Sequence, residues 1–157
     1  MKRFCCLICI ISLLLTGCSM LGERIKEPVS FYYVRENYQK DMQNVIASEV
    51  REASGHRDDL SYLLALYSMG PSEEGLRSPL PRNTVVTLSE HTDANLELRL
   101  SDSALPLSDA DFTLASTCVA LTCMDLTDAA QVKITCGDRE MIIRKDQLLL
   151  DSSNAQN

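Results

Sequence analysis

Short runs of alternating apolar and polar residues flank two longer segments with helical spacing, and this pattern predicts the order of elements. Residues 29–34 read VSFYYV, a β-branched and aromatic run typical of a strand with two buried faces. Residues 86–88 and 96–100 alternate apolar with polar positions, so each predicts a strand with one buried and one wet face. Residues 92–95, TDAN, supply a turn, and the two strands are therefore predicted to form a hairpin.

Two further segments complete the predicted strands. Residues 131–145 read QVKITCGDREMIIRK and predict a second hairpin with Gly137 and Asp138 at its turn. Residues 35–57 are more polar and favour a strand near Val45–Val50. A helix is the open alternative there, because the apolar positions also fit a helical step.

Two segments have helical spacing and recognisable ends. The first follows Asp58 and Asp59, either of which can cap it, and it ends at Gly70, where a left-handed residue is expected before a proline. The second starts at Ser108, with Asp111 three positions on as in a capping box. The predicted buried positions are Leu60, Leu63, Leu64 and Tyr67 in the first helix, and Phe112, Ala115, Cys118, Val119, Thr122, Cys123 and Leu126 in the second.

The order strand, strand, helix, hairpin, helix, hairpin predicts an α/β chain of the α+β type. We expect a single small sandwich over residues 29–150, in which a mixed sheet is packed by two helices. The chain has 157 residues, of which 45% are apolar, and this is enough for one core. Residues 151–157 are predicted to be a polar tail.

The amino-terminal segment resembles the signal of a bacterial lipoprotein. Lys2 and Arg3 precede an apolar run over residues 4–15, which has signal-peptide length and is shorter than the roughly 20 residues of a spanning helix. Residues 15–18 read LTGC and resemble the lipobox, in which a cysteine is lipidated before cleavage. An uncleaved anchor or an ordinary secretory signal is the alternative.

Cleavage between Gly17 and Cys18 would remove residues 1–17 as a signal peptide and leave a lipid on the Cys18 sulfur. Residues 18–28 would then tether the domain to the extracytoplasmic face of the cell membrane. The net charge of −7 becomes −9 when the signal and its two cations are removed. Such an acidic chain argues against binding nucleic acid or anionic lipid through charge, so the membrane contact would come from the lipid.

Apart from the lipidated Cys18, three cysteines remain after the signal, an odd number for a disulfide framework. Cys118 and Cys123 point roughly 140° apart on a helix, so neither a disulfide nor a shared metal suits that pair. Cys136 could still bridge to one of them, but all three are better explained as small core residues. No metal or cofactor is predicted.

The segment between the first helix and the first hairpin, GPSEEGLRSPLP over residues 70–81, is rich in glycine and proline. It lacks the lysine of a phosphate-binding loop and the GxSxG of a nucleophile elbow, and it leads from a helix into a strand. Turn chemistry explains it better, with Leu76 and Leu80 filling the core from the loop. A solvent-facing role in partner binding is the alternative. The glycines and prolines of this connector are Gly70, Pro71, Gly75, Pro79 and Pro81.

Catalysis is not expected from the remaining polar residues. Ser89, His91 and Asp93 are close in sequence, but triads are recognised by the geometry of the folded protein and not by closeness in sequence. The acidic pairs Asp58-Asp59 and Glu73-Glu74 are expected to be caps or solvated faces, since no calcium-loop spacing surrounds them.

The connector also carries a family resemblance. A helix followed by GPSEEGLRSPLP and a strand resembles the GerM domain, and the likeness continues through NLELRLSD, VKITCGDREM and the terminal LLLDSS. It covers residues 29–152, and Asn83 stands where that family usually has glycine. The resemblance implies a sporulation or germination lipoprotein whose domain is related to ring-building modules.

Two functions follow as hypotheses. The first is a membrane-anchored, non-catalytic assembly module with protein partners or further copies of itself, and the second is a lipid-anchored monomer that binds a wall component or soluble ligand. Acidic modules repel one another unless opposite charges are paired across their contact or a basic partner lies between them. We therefore expect the basic residues of the last hairpin to face the acidic region 49–74 of a neighbour. Those residues are Lys133, Arg139, Arg144 and Lys145.

Overall fold

The computed structural model describes residues 25–37 and 45–148, and there the elements follow the predicted order. The strands are β1 (Pro28–Arg35), β2 (Ile46–Glu52), β3 (Leu76–Arg77), β4 (Val86–His91), β5 (Asn95–Leu100), β6 (Gln131–Cys136) and β7 (Arg139–Arg144). The helices are α1 (Leu60–Ser68) and α2 (Asp109–Leu126), with a 3-10 turn at Asp102–Ala104, and residues 145–148 are also helical. The predicted α+β class is confirmed, and the segment that allowed strand or helix is strand β2.

Several sequence predictions lie outside the described residues. These are the signal peptide over 1–17, the cleavage site at Gly17 and Cys18, the tether as far as residue 24, and the tail over 151–157. Within the described part of the chain, no helix is long and apolar enough to cross a membrane.

The strands form two sheets rather than the single mixed sheet that was expected. One is antiparallel with the order β2-β1-β3, and the other has the order β4-β5-β6-β7, in which only β5 and β6 run parallel. The division arises at β1, because β3 covers only its last two residues. Earlier in β1, the edge is occupied by a side chain of helix α2, because the Tyr32 N–H donates to Thr122 Oγ1 at 3.0 Å.

Helix α2 is buried on most of its circumference because it packs against β1 on one side and against β6 and β7 on the other. Its small side chains permit this close approach. The residues of α2 that are buried are Phe112, Ala115, Ser116, Cys118, Val119, Ala120, Thr122, Cys123 and Met124. The predicted face is therefore part of a wider buried surface, and one core joins the two sheets.

The cysteines and the helix ends agree with the sequence analysis. Cys118, Cys123 and Cys136 are buried free thiols, and burial raises the pKa of Cys118 and of Cys123 to about 12. The Tyr62 N–H donates to the Asp59 carboxylate at 3.0 Å, so the second of the two acidic residues caps α1. Ser108 caps α2, since its hydroxyl accepts from the Asp111 N–H at 3.2 Å.

Candidate functional site

The connector is anchored in the core at its carboxyl-terminal half and exposed at its tip. Gly70 and Gly75 have φ angles of +87° and +84°, which residues with a side chain rarely adopt. Leu76 and Leu80 are buried with 8% and 7% exposure, so both fill the core from the loop. Residues 72–75 and Arg77 are exposed, so these positions are the part of the connector that a partner could reach.

A buried ion pair on β2 holds the start of the connector. The Glu49 carboxylate accepts from Nε and Nη2 of Arg51, both at 3.1 Å, and from the Ser72 N–H at 3.0 Å. The Arg51 guanidinium also donates to the carbonyls of Leu66 and Gly70, at the end of α1. One pair of side chains therefore binds the last turn of the helix and the first turn of the connector.

This clamp was not foreseen from the sequence. Glu49 and Arg51 are two residues apart, and on a strand residues at i and i+2 share a face. The shared face could have been predicted from residues 46–52 if the segment had been assigned as a strand. Because a helix was an open alternative there, the pairing of Glu49 with Arg51 was not predicted. Phe31 of the neighbouring strand β1 lies on the same face of the sheet, and the Arg51 guanidinium is 5.5 Å from the centre of its ring.

Arg139 was expected to face a neighbour, but the structure shows it half-buried with its guanidinium turned toward its own chain. Its guanidinium donates to the carbonyls of Ala104, Leu105 and Leu107 at 2.9, 3.1 and 2.8 Å. It also lies 4.5 Å from the centre of the Phe112 ring. Arg139 thus ties β7 to the turn that precedes α2, and it is a structural residue.

The four-stranded sheet has one buried face and one face whose side chains are exposed or half-buried. The buried face carries leucine, valine and isoleucine against the helices. The other, which we call the open face, carries alternate residues of all four strands. Its residues are Thr87 and Glu90 on β4, Asn95, Glu97 and Arg99 on β5, Gln131, Lys133 and Thr135 on β6, and Glu140, Ile142 and Arg144 on β7.

The open face is balanced in charge, with three acidic and three basic side chains in that set. Lys133 sits near its centre, 3.1 Å from a Glu140 oxygen and 3.6 Å from a Glu97 oxygen. Its pKa is raised, chiefly by its hydrogen bond to Glu140. Arg144 donates to the Gln131 side chain at 3.0 Å. The last hairpin is therefore not the plain basic patch that its sequence suggested.

A groove of about 690 Å³ lies where the start of α1 meets the ends of β4 and α2. Both histidines, His56 and His91, line it, and His56 stacks on Tyr62 with ring centres 4.2 Å apart. Among the described residues, no group of three or more His, Cys, Asp or Glu could hold a metal ion. No hydrogen bond joins Ser89, His91 and Asp93 within the same part of the chain, so the structure does not assemble them as a triad.

Comparison with known proteins identifies solved structures that share this fold. Neither a protein-family model nor a curated protein sequence matches the chain. Among solved structures, the first GerMN domain of the sporulation protein GerM from Bacillus subtilis aligns with TM-score 0.51 at 17% identity, over 73% of this chain and 85% of that one. The tandem GerMN domains of the same protein align with TM-score 0.50 at 17% identity, over 73% of this chain and 40% of theirs.

A candidate lipoprotein from Clostridium perfringens aligns at 17% identity over 76% of this chain and 88% of its own, with TM-score 0.46. That alignment is too weak to carry an inference. The two GerMN structures show that this chain has the GerMN fold, so the predicted resemblance to a GerM domain is confirmed at the level of the fold.

Proposed function

We propose that this chain is a lipid-anchored, non-catalytic assembly module of an envelope complex in sporulating cells, and that it meets protein neighbours through the open face. The observation that carries the proposal is the contrast between this face and the whole chain. The chain has a net charge of −7, whereas the open face has as many basic as acidic residues. Like charges repel across a contact, so a neutral surface is where an acidic module approaches a neighbour at least cost.

The sequence and the fold support the two parts of this proposal separately. The LTGC segment at residues 15–18 supports anchoring through lipid. The GerMN fold, known from the sporulation protein GerM, supports a place in sporulation. The described residues offer side chains that bind one another and the backbone at the clamp and at Arg139, and these contacts serve the architecture rather than a reaction.

The anchor is tested by replacing the lipidated residue. Cys18→Ala is expected to release the protein from the membrane fraction or to leave an uncleaved precursor, because no thiol remains to accept a lipid. Membrane fractionation and labelling with radioactive palmitate measure both outcomes. Leu21→Ala is the matched control outside the lipobox and should label like the parent. Undiminished labelling of Cys18→Ala would refute the anchor.

The contact surface is tested by photocrosslinking in membranes of sporulating cells. A photoreactive residue at Arg99, which is exposed on β5 of the open face, is expected to capture protein neighbours. The same residue at Ala110, exposed on the first turn of α2, is the matched control and should capture fewer. Equal yields at both positions would contradict a specific role for the open face.

The alternative function is a monomer that binds a small molecule. The groove lined by His56 and His91 is the observation that favours it, since binding sites are concave and combine apolar walls with a few polar groups. Failure of the Arg99 crosslinks together with a full-length protein that sediments as a monomer in detergent would support this alternative.

A further inference from the structure

The two outer strands of the four-stranded sheet differ in their ability to accept another strand. The pairing of β4 is interrupted by a bulge between Leu88 and Glu90. Bulges at an edge disrupt the regular row of backbone groups and discourage further pairing. The register of β7 is continuous from Arg139 to Arg144, and it contains neither a bulge nor a proline. Within the described residues, no strand pairs with its outer side.

The hairpin geometry fixes which backbone groups of β7 point outward. A two-residue turn at Gly137 and Asp138 makes Cys136 and Arg139 the closing pair. In such a hairpin the closing pair exchanges hydrogen bonds, and alternate residues beyond it point away from the partner strand. The Lys145 N–H continues this alternation toward β6, donating to the Ala130 carbonyl at 2.9 Å. The N–H and C=O groups of residues 140, 142 and 144 therefore point to the free side.

The side chains of these three residues form a symmetric pattern. Glu140, Ile142 and Arg144 all lie on the open face, and Ile142 is a large apolar residue with 42% exposure. An acid precedes Ile142 by two residues and a base follows it by two. Rotating the strand by 180° about Ile142 places the base where the acid was. The strand is thus complementary in charge to an antiparallel copy of itself.

We infer that β7 pairs antiparallel with β7 of a second copy of this chain, about a twofold axis at Ile142. The inference rests on the proposed assembly function and names one partner of that assembly. In this register Ile142 lies opposite Ile142 of the second copy, and Glu140 lies opposite Arg144 of the second copy. The twofold axis generates two such ion pairs. The outward backbone groups become hydrogen-bonded pairs, and two four-stranded sheets join into one of eight strands.

The contacts already present on the open face are compatible with this pairing. A carboxylate has two oxygens and accepts several hydrogen bonds, so Glu140 can hold both Lys133 and the arginine of the second copy. Continuing the register would bring Arg139 near Lys145 of the second copy, which has the same charge, but Lys145 lies beyond the end of β7, where the chain becomes helical. The Arg139 guanidinium is bound to carbonyls within its own chain, away from that position.

Cysteine crosslinking of the full-length protein in its membrane tests the register. Directly opposed, hydrogen-bonded residues have Cα atoms about 5.5 Å apart, which a disulfide can span. Ile142→Cys is therefore expected to give a disulfide-linked dimer under mild oxidation, at a yield several-fold above the parent. Glu140→Cys alone should stay at the parent's level because its own copy lies several residues away. Glu140→Cys mixed with Arg144→Cys should crosslink.

Thr87→Cys, on the open face of the bulged strand β4, is the matched control for exposure. The inference fails if Ile142→Cys crosslinks no more than Thr87→Cys, or if Glu140→Cys crosslinks with itself as strongly as Ile142→Cys does. These variants replace exposed residues, so the fold is expected to tolerate them.

A charge exchange in the Ile142→Cys background tests the chemistry of the pairing. Glu140→Arg and Arg144→Glu should each lower the dimer yield several-fold, since each places like charges opposite one another. The two together should restore the yield. Yields that do not respond to either single change would overturn the role of this ion pair. Crosslinks at Arg99 without an Ile142→Cys dimer would overturn the twofold pairing alone, whereas loss of both would also refute the assembly function.

Discussion

Arg51 and Arg139 serve the same purpose in the two halves of the molecule, but among the described residues only Arg51 has a carboxylate partner. Each guanidinium donates to the carbonyls of a turn next to a helix, and each lies over an aromatic ring. Arg51 pins the end of α1 beside the three-stranded sheet, together with Glu49. Arg139 pins the turn before α2 beside the four-stranded sheet, and its acceptors in the described part of the chain are carbonyls.

Burial explains this difference. The side chain of Arg51 is 12% exposed and that of Glu49 is 7% exposed, so each would be a costly lone charge in the core. Arg139 is half-buried, and solvent together with carbonyl dipoles suffices to stabilise its charge. The more deeply buried Arg51 therefore needs a counter-charge, whereas the half-buried Arg139 does not. This difference also predicts that the two halves respond unequally to loss of their clamp.

The largest effect is expected from Arg51→Ala, which leaves the Glu49 carboxylate buried without its cation. Breaking a buried pair from one side costs about 3–5 kcal/mol in the free energy of unfolding. Urea denaturation of the variant and the parent measures this loss. Adding Glu49→Gln to Arg51→Ala removes the stranded charge and should recover part of it. A loss under about 1 kcal/mol, or no recovery in the double variant, would contradict the clamp.

A smaller effect is expected from Arg139→Ala, which removes hydrogen bonds from a charged donor without stranding a counter-charge. The expected loss is about 2 kcal/mol, as for hydrogen bonds to charged groups in general. Arg99→Ala is the matched control on the opposite face of the sheet and should change stability by under about 0.5 kcal/mol. Equal thermal midpoints for the two variants would show that the hydrogen bonds of Arg139 do not stabilise the fold.

Local patterns in the sequence predicted most of the fold. The alternation at residues 96–100, the Gly137-Asp138 turn and the caps at Asp59 and Ser108 each depend on neighbours within a few residues. Such signals need no knowledge of tertiary contacts. The connector behaved likewise, because the glycines and prolines that shape it act on their own backbone.

Features that depend on distant contacts were missed. The division into two sheets follows from Thr122 occupying the edge of β1, which lies 90 residues away in sequence. The inward turn of Arg139 depends on carbonyls more than 30 residues earlier, and a basic residue in a hairpin gives no sign of it. The open face was partly visible as alternation at Glu97 and Arg99, but its charge balance required the strand order, which places Lys133 between acids from both neighbouring strands.

The smallest effect concerns Asn83, at the junction where the connector of the first half enters the second. Its φ is +66°, in the left-handed region, and its carbonyl accepts from the Ser103 hydroxyl at 3.4 Å. Asparagine tolerates this conformation better than most residues with a β-carbon, which explains why it can stand where GerM domains usually have glycine.

Asn83→Ala should therefore lower the free energy of unfolding by about 1 kcal/mol, since alanine is strained in the left-handed region. Asn83→Gly should stay within about 0.5 kcal/mol of the parent. Glycine relieves the backbone strain, but it also increases the freedom of the unfolded chain, and the two effects oppose one another. Thermal denaturation of both variants measures the difference. If the Asn83→Ala variant were as stable as Asn83→Gly, residue 83 would not need a left-handed conformation. The backbone between the connector and β4 would then not be constrained at this position.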